Sequence, residues 1–281
     1  MRLSVAIIAR DEERHIGAAI ESVAGLADEV LVLLDDRTRD QTGEIARAHG
    51  ARVLSEPWRG FPAQRNRALS LCCGDWVLFL DADERVSPEL AADIRALLFA
   101  DTSGEDAAPE ATGATASGAD RDAPALQSSG APAGCWLPRH NQFFGRVARG
   151  GGWYPDEQLR LLRRGRARYD ERLLVHEVAA LDGPAAHLCG HLLHLNIERL
   201  DELWRKQRAY AFQEAQTLFL AGRRARWRNF AGAPLREFRR RYLALGGWRD
   251  GWLGLLLCGT LAYFEWVKFV HLKALELGVR G

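Results

Sequence analysis

The sequence predicts an α/β protein built around a mostly parallel sheet. Over the first hundred residues, short apolar runs alternate with segments of helical periodicity, and three of those runs end in carboxylates. Strands alternating with helices at this spacing are joined by right-handed crossovers and give a parallel sheet. In open sheets of this kind, ligands bind beyond the carboxyl ends of the strands, so acids placed there are the first candidates for a site.

The elements follow in order. Leu3 to Ala9 reads as a buried strand, followed by Arg10-Asp11-Glu12. Asp11 to Ala24 carries Ile16, Ile20 and Val23 at helical spacing. Glu29 to Leu34 is a second strand, closed by Asp35-Asp36, and Asp40 to His49 is a helix with Asp40 as its N-cap. Ala51 to Leu54 is a third short strand and Phe61 to Leu71 a helix. Asp75 to Leu80 is the fourth strand, ending in Asp81-Ala82-Asp83-Glu84. Ser87-Pro88-Glu89 opens the next helix, with Ser at the N-cap and Pro at N1. The three acidic clusters are therefore expected to converge on one crevice. Glu84 has no partner that the sequence can name.

At 281 residues the chain has room for one large α/β domain and an appendage. Lys+Arg 38 against Asp+Glu 37 leaves a net charge of +1, which excludes the global electrostatic footprint of a nucleic-acid binder. Five cysteines without a CxxC or an even framework read as reduced thiols in a cytosolic protein. The N-terminal MRLSVAIIARDEE reads as a strand, not a signal peptide, because acids follow the apolar run at once.

Residues 1–100 thus form one half of the domain. Residues 101–134 are mostly Ala, Gly, Ser, Thr, Pro and Asp and are expected to be a disordered insert. Residues 135–196 resume the domain, with an aromatic- and Gly-rich loop in FFGRVARGGGWYPDEQLRLLRRG and a strand within Asp182 to Leu195. Residues 197–281 are expected to be helical, beginning with a long helix from Ile197 to Leu220. Basic residues crowd between Arg223 and Arg241, and the uncharged stretch Gly251 to Phe264 follows. Its 14 residues fall short of the roughly 20 that a spanning helix needs. With Trp248, Trp252 and Trp266 it suits a helix lying in a membrane interface; a buried C-terminal helix is the alternative.

Asp81 and Asp83 offer hard oxygen ligands to Mg²⁺ or Mn²⁺, with diphosphate oxygens and water completing the shell. Alone, a DxD triplet is a weak signal. His187, His191 and His194 with Cys189 have a spacing that would suit zinc only on a helix, and Gly190 and Leu192-Leu193 argue for a strand there.

Four blocks in order, SVAIIARDEERHI, ADEVLVLLDDRTRDQT, EPWRGFPAQRNRAL and GDWVLFLDADERVSPEL, resemble the N-terminal half of glycosyltransferase family 2. The subgroup they resemble most is the lipopolysaccharide core-type β-glycosyltransferases, and GGWYPDEQLRLLRRG and VHE resemble the same subgroup. The resemblance implies a GT-A fold, a nucleotide-diphosphate sugar as donor, a saccharide or lipid-linked acceptor and an inverting reaction. It implies that Ala9, Arg10 and Glu12 line the base and ribose pocket, that Asp35 approaches the uracil or ribose, and that Gln64, Asn66 and Arg65 or Arg67 lie near nucleotide or phosphate. Asp81 and Ala82 would meet the ribose or metal, Asp83 would bind metal, and His176 resembles a late metal-shell histidine. Two departures touch this pocket: Asp11 stands where the family has Asn, and Asp36-Arg37-Thr38-Arg39 replaces a small-residue turn.

Loss of a nucleoside diphosphate builds negative charge for a metal and cationic side chains to stabilise, and the acceptor hydroxyl must lose a proton to a base. The base candidates are Asp156 first, then Glu177 and Glu157. Gln158 and Arg160 alternate with Leu159 and Leu161, so both are expected to face the crevice, Arg160 as a diphosphate contact. The leading expectation is a peripheral enzyme on the cytoplasmic face of the inner membrane. A sugar-nucleotide-binding protein without catalysis is the alternative. A nucleotidyltransferase is disfavoured, since ARDEE stands where its Gly-rich basic loop would be.

Overall fold

The structure is a computed structural model of the chain and describes residues 2–103, 131–172 and 178–278. Most of the expected insert, and the segment carrying His176 and Glu177, lie outside the described residues.

The elements in chain order are β1 (Leu3–Ala9), α1 (Ile16–Glu21), β2 (Glu29–Asp35), α2 (Thr42–Ala48), β3 (Arg52–Glu56), α3 (Phe61–Leu71), β4 (Trp76–Phe79), β5 (Glu84–Val86) and α4 (Pro88–Ser103). After the insert come β6 (Gly134–Phe143), β7 (Arg146–Val147), β8 (Glu157–Arg163), β9 (Ala167–Arg168), β10 (Ala180–Leu181), β11 (Ala185–His187) and β12 (Leu192–Ile197). Helices α5 (Leu200–Leu220), α6 (Trp227–Phe238) and α7 (Trp252–Glu276) close the chain, with a π-helical turn at Arg239–Ala244 and a 3-10 turn at Gly247–Asp250 between the last two.

The main sheet runs β3-β2-β1-β4-β8-β6-β12-β5. The expected parallel arrangement holds for β3, β2, β1 and β4. Beyond β4 the sheet turns antiparallel, because β8 pairs β4 and β6 in the opposite sense. The architecture is mixed α/β, with the parallel half coming from the βα alternation read in the sequence. Strand β1 is buried along nearly its whole length, as a central parallel strand covered on both faces must be. Its alternation sorts residues onto two cores. Leu3, Val5 and Ile7 meet Ile16, Ile20, Leu90 and Ile94 on one face, whereas Ala6 meets Ala68, Leu69 and Phe79 on the other.

Local signals mostly survive. Ser87 caps α4, its Oγ accepting the Leu90 N–H at 3.2 Å. Asp40 accepts the Thr42 N–H at 3.0 Å at the start of α2. The first helix is shorter than its periodicity predicts, because Arg10 to His15 are held in a turn by the site described below.

The chain divides into two compact units, residues 1–139 with 157–193 and residues 140–156 with 194–281. The first holds both cores of the sheet. The second groups the loop before β8 with the C-terminal helices, a partition that chain order alone does not reveal. Its core is Phe143, Ala148, Ile197, Leu203, Leu253 and Leu257. In this unit the Asp250 carboxylate accepts the backbone N–H groups of Arg149 at 2.9 Å and Gly150 at 2.8 Å, and the Arg241 guanidinium donates to the Gly151 carbonyl at 2.8 Å. Gly150 is required there, since a Cβ would lie 2.1 Å from the Gly246 carbonyl oxygen.

Helix α7 spans 25 residues and so extends well past the uncharged stretch read in the sequence. It is long and apolar enough to cross a membrane by length and composition, and it packs on α5 and α6.

Candidate functional site

Strands β2, β1 and β4 lie side by side and parallel, so their carboxyl ends open on one edge of the first unit. Arg10, Asp11 and Glu12 follow β1, Asp35 closes β2, and Asp81, Ala82 and Asp83 follow β4. Ala9 and Ala82 are buried beneath them.

The turn after β1 places Asp11 at φ 53°, a left-handed conformation that Asn and Asp tolerate best among residues with a Cβ. Its carboxylate accepts the Arg39 N–H at 2.8 Å. The departure from the family's Asn thus leaves the turn chemistry intact. Glu12 donates its backbone N–H to Thr42 Oγ1 at 2.7 Å. Burial, and then the charges of Asp83, Asp40, Asp81 and Asp11, push the Glu12 carboxyl up to about 7. Burial disfavours the charged form of Glu12, and the four neighbouring carboxylates add to that.

The second departure has a larger effect. Arg37 donates to Asp35 through Nε at 2.9 Å, Nη2 at 2.6 Å and its backbone N–H at 3.0 Å. These bonds hold the buried Asp35 well below the usual carboxylate range. Arg10 reaches the same carboxylate at 4.0 Å and Asp11 at 3.4 Å. Asp35, expected to meet uracil or ribose, already carries a guanidinium supplied by the unusual Asp36-Arg37-Thr38-Arg39 turn.

Arg160 also has a different partner from the one expected. The register of β8 on β4 sets Leu161 opposite Leu78, which brings Arg160 to the acidic strand end. Its guanidinium grips Asp81 bidentately, at 2.5 and 3.2 Å, and approaches Glu84 to 3.6 Å. Burial opposes ionisation of Asp81, but Arg160, backed by Arg65 and Arg139, outweighs it and holds the carboxyl below its usual range. Glu84, the acid left unassigned, is fully buried; it accepts from Arg139 at 3.0 Å and from the Asp81 N–H at 3.1 Å. In the structure Arg160 thus holds two of the protein's own carboxylates, Asp81 and Glu84. Of the four carboxylates around it, Asp83 presses hardest on Glu12.

The residues taken from α3 are tied elsewhere. Gln64 is buried and donates to the Pro57 carbonyl at 3.1 Å. Asn66 pairs with the Tyr169 backbone, donating and accepting at 2.9 Å, and donates to Glu171. Arg67 is bound to Glu56 at 2.9 and 3.0 Å. Each holds segments of the first unit together.

Of the base candidates, Asp156 belongs to the second unit, where its carboxylate accepts from Asn141 Nδ2 at 2.8 Å. Glu157 starts β8, with His187 at 3.7 Å. Glu177 and His176 lie outside the described residues. Gln158 follows Glu157 on β8, half-buried. All five cysteines are free.

Residues 4–108 match the family model for glycosyl transferase family 2. The lipopolysaccharide core biosynthesis glycosyltransferase LpsC of Rhizobium meliloti is 29% identical over 94% of this chain and 89% of its own length. An uncharacterized glycosyltransferase of Rickettsia typhi is 44% identical over 93 residues, 33% of this chain and 32% of that one, so the chain spans about a third of that relative's length. Among solved structures, glucosyl-3-phosphoglycerate synthase of Mycobacterium tuberculosis, in complex with Mn²⁺, UDP and glucosyl-3-phosphoglycerate, shares 29% identity over 35% of this chain and 39% of that one. Its TM-score of 0.29 carries no argument about the whole fold. The match over residues 4–108, on the same strands that bring the acidic clusters together, identifies this part of the chain as a glycosyl transferase family 2 domain.

Proposed function

We propose that the protein is an inverting glycosyltransferase that moves a sugar from a nucleotide-diphosphate sugar, UDP-linked in the first instance, to a saccharide or lipid-linked acceptor in cell-envelope glycan synthesis. The observation that carries this reading is the acidic edge of β1 and β4, where Glu12 is pushed up to about 7 by burial and by Asp83, Asp40, Asp81 and Asp11. Such an edge calls for a cation. Its donors are all carboxylate oxygens, the set that Mg²⁺ and Mn²⁺ prefer. Among the described residues no three His, Cys, Asp or Glu side chains are grouped to hold a metal unaided. Mg²⁺ and Mn²⁺ at such sites are commonly held by one or two carboxylates and completed by diphosphate and water. Asp83 would hold it, with Asp81 and Glu12 beside it, and the ion would supply charge for the departing diphosphate.

In this reading Arg160 and Arg139 hold Asp81 and Glu84 in place, so that the edge is preorganised. Asp156 takes the proton from the acceptor hydroxyl, and inversion by single displacement needs no protein nucleophile. Relatedness to LpsC along nearly the whole chain supports an envelope-glycan acceptor. The Arg-rich stretch with the exposed Trp227, Trp248 and Trp252 supports peripheral attachment to the cytoplasmic face of the inner membrane.

A thermal-shift screen of UDP-, GDP- and dTDP-sugars, with and without Mn²⁺, tests the reading. A metal-dependent shift that Asp83→Ala abolishes is expected. Asp156→Ala should keep the shift and release the nucleoside diphosphate only at a small residual rate. A shift without turnover in the wild type would leave a binding protein, and no shift with any donor would overturn the proposal.

A further inference from the structure

We propose that Asn141 is a positioning residue that fixes the Asp156 carboxylate through a fully used side-chain amide; the inference builds on the reading of Asp156 as the base. Asn141 lies on β6 and is 3% exposed. Its Nδ2 donates to Asp156 Oδ2 at 2.8 Å and to the Trp153 carbonyl at 3.2 Å. Its Oδ1 accepts from Asn196 Nδ2 at 3.2 Å and lies 2.7 Å from His194 Nδ1. An amide has two N–H donors and two acceptor lone pairs, and here all four have partners. All of these residues belong to the second unit.

The direction of every bond in this chain follows from its far end. Lys206 Nζ donates to Asn196 Oδ1 at 3.0 Å, and an ammonium cannot accept. Asn196 must therefore turn its oxygen to Lys206 and its Nδ2 to Asn141. Asn141 must then present Oδ1 to Asn196 and its two N–H groups to Asp156 and the Trp153 carbonyl. The reverse orientation would set Asn141 Oδ1 against a carboxylate and a carbonyl, and two amide nitrogens against each other. Amide orientations are normally inferred from such networks, and this one is anchored by a group that has only one role.

Two consequences distinguish this network from a generic buried strap. His194 must donate from Nδ1 to Asn141, so that nitrogen carries a proton. Asp156 must accept from Asn141, a role that a carboxylate base can fill. A side chain held from behind in this way keeps one oxygen engaged and the other aimed by the first, and misplacement of a reacting group by about 1 Å can cost on the order of 100-fold in rate.

The first test uses the full chain with labelled histidine. Imidazole ¹⁵N correlation spectra should show His194 protonated at Nδ1, and loss of that signature in Asn141→Leu. A bare, accepting Nδ1 in the wild type would mean the amide points the other way and would overturn the proposal without any activity assay. The second follows UDP release from UDP-glucose with Mn²⁺, water serving as acceptor. Asn141→Leu should lower kcat by on the order of 10- to 100-fold, with the donor KM within about twofold of wild type. In the Asp156→Ala background the same substitution should cost nothing further, because its effect passes through Asp156. An equal loss in both backgrounds would overturn the positioning role. Should Asp156→Ala turn over like the wild type, the base reading fails, while the His194 spectrum still reports whether the amide is wired to Asp156.

Discussion

Replacing Glu12 with Gln removes the one carboxyl that the acidic edge pushes strongly upward. In the folded protein Glu12 titrates at about 7, against 4.5 for an ordinary glutamate. A raised carboxyl favours folding while it is protonated and loses that advantage as pH rises, because the folded state holds a proton that the unfolded chain has already released. The loss begins near the unfolded value of 4.5 and is complete once pH passes the folded value near 7. At about 1.36 kcal/mol per unit the full shift would correspond to about 3 kcal/mol, but Glu12 is only half-buried, and solvent screening reduces this to about 1 to 2 kcal/mol, most of which falls between pH 5 and 8. Glu12→Gln never ionises, so its stability relative to wild type should rise by about 1 to 2 kcal/mol between those two pH values. Denaturant titrations of both proteins at pH 5 and pH 8 measure this difference of differences, in which any fixed effect of the substitution cancels. Mn²⁺ should narrow the gap by supplying the missing positive charge. A gap that changes by less than about 0.5 kcal/mol would refute the argument that burial and the neighbouring carboxylates raise Glu12.

Two further outcomes are expected. Arg160→Leu leaves Asp81 and Glu84 without their shared guanidinium and should cost about 3 kcal/mol of stability, read as a fall in the unfolding midpoint; an unchanged midpoint would show that Arg139 alone suffices. Full-length protein should co-sediment with vesicles containing phosphatidylglycerol at low salt and release them at high salt, because eight arginines face one glutamate between Arg223 and Arg241. Replacing Trp248 and Trp252 with Ala should weaken that attachment, and indifference of the protein to vesicles at low salt would remove the membrane from the proposed function.

The sequence by itself determined the parallel half of the sheet, because periodicity and turn chemistry are local. Strand β1 and helix α3 begin and end where the apolar spacing sets them, and Ser87 caps the helix it was expected to cap. It also determined that acids would gather at the ends of β1, β2 and β4, since parallel strands in one sheet share an edge. What each acid does there was decided by tertiary structure. Glu84 had no partner that the sequence could name, and only the antiparallel arrival of β8 and β6 brought Arg160 and Arg139 to it. Asn66 and Arg67 resembled nucleotide contacts in the sequence, but their partners Tyr169 and Glu56 lie far along the chain or on another element. Asn141 carried no signal at all, because an asparagine on a strand becomes informative only when four partners from different segments close around its amide. Charge type and spacing are written along the chain; which charge meets which is fixed by strand register, and register between distant strands is a property of the packed sheet.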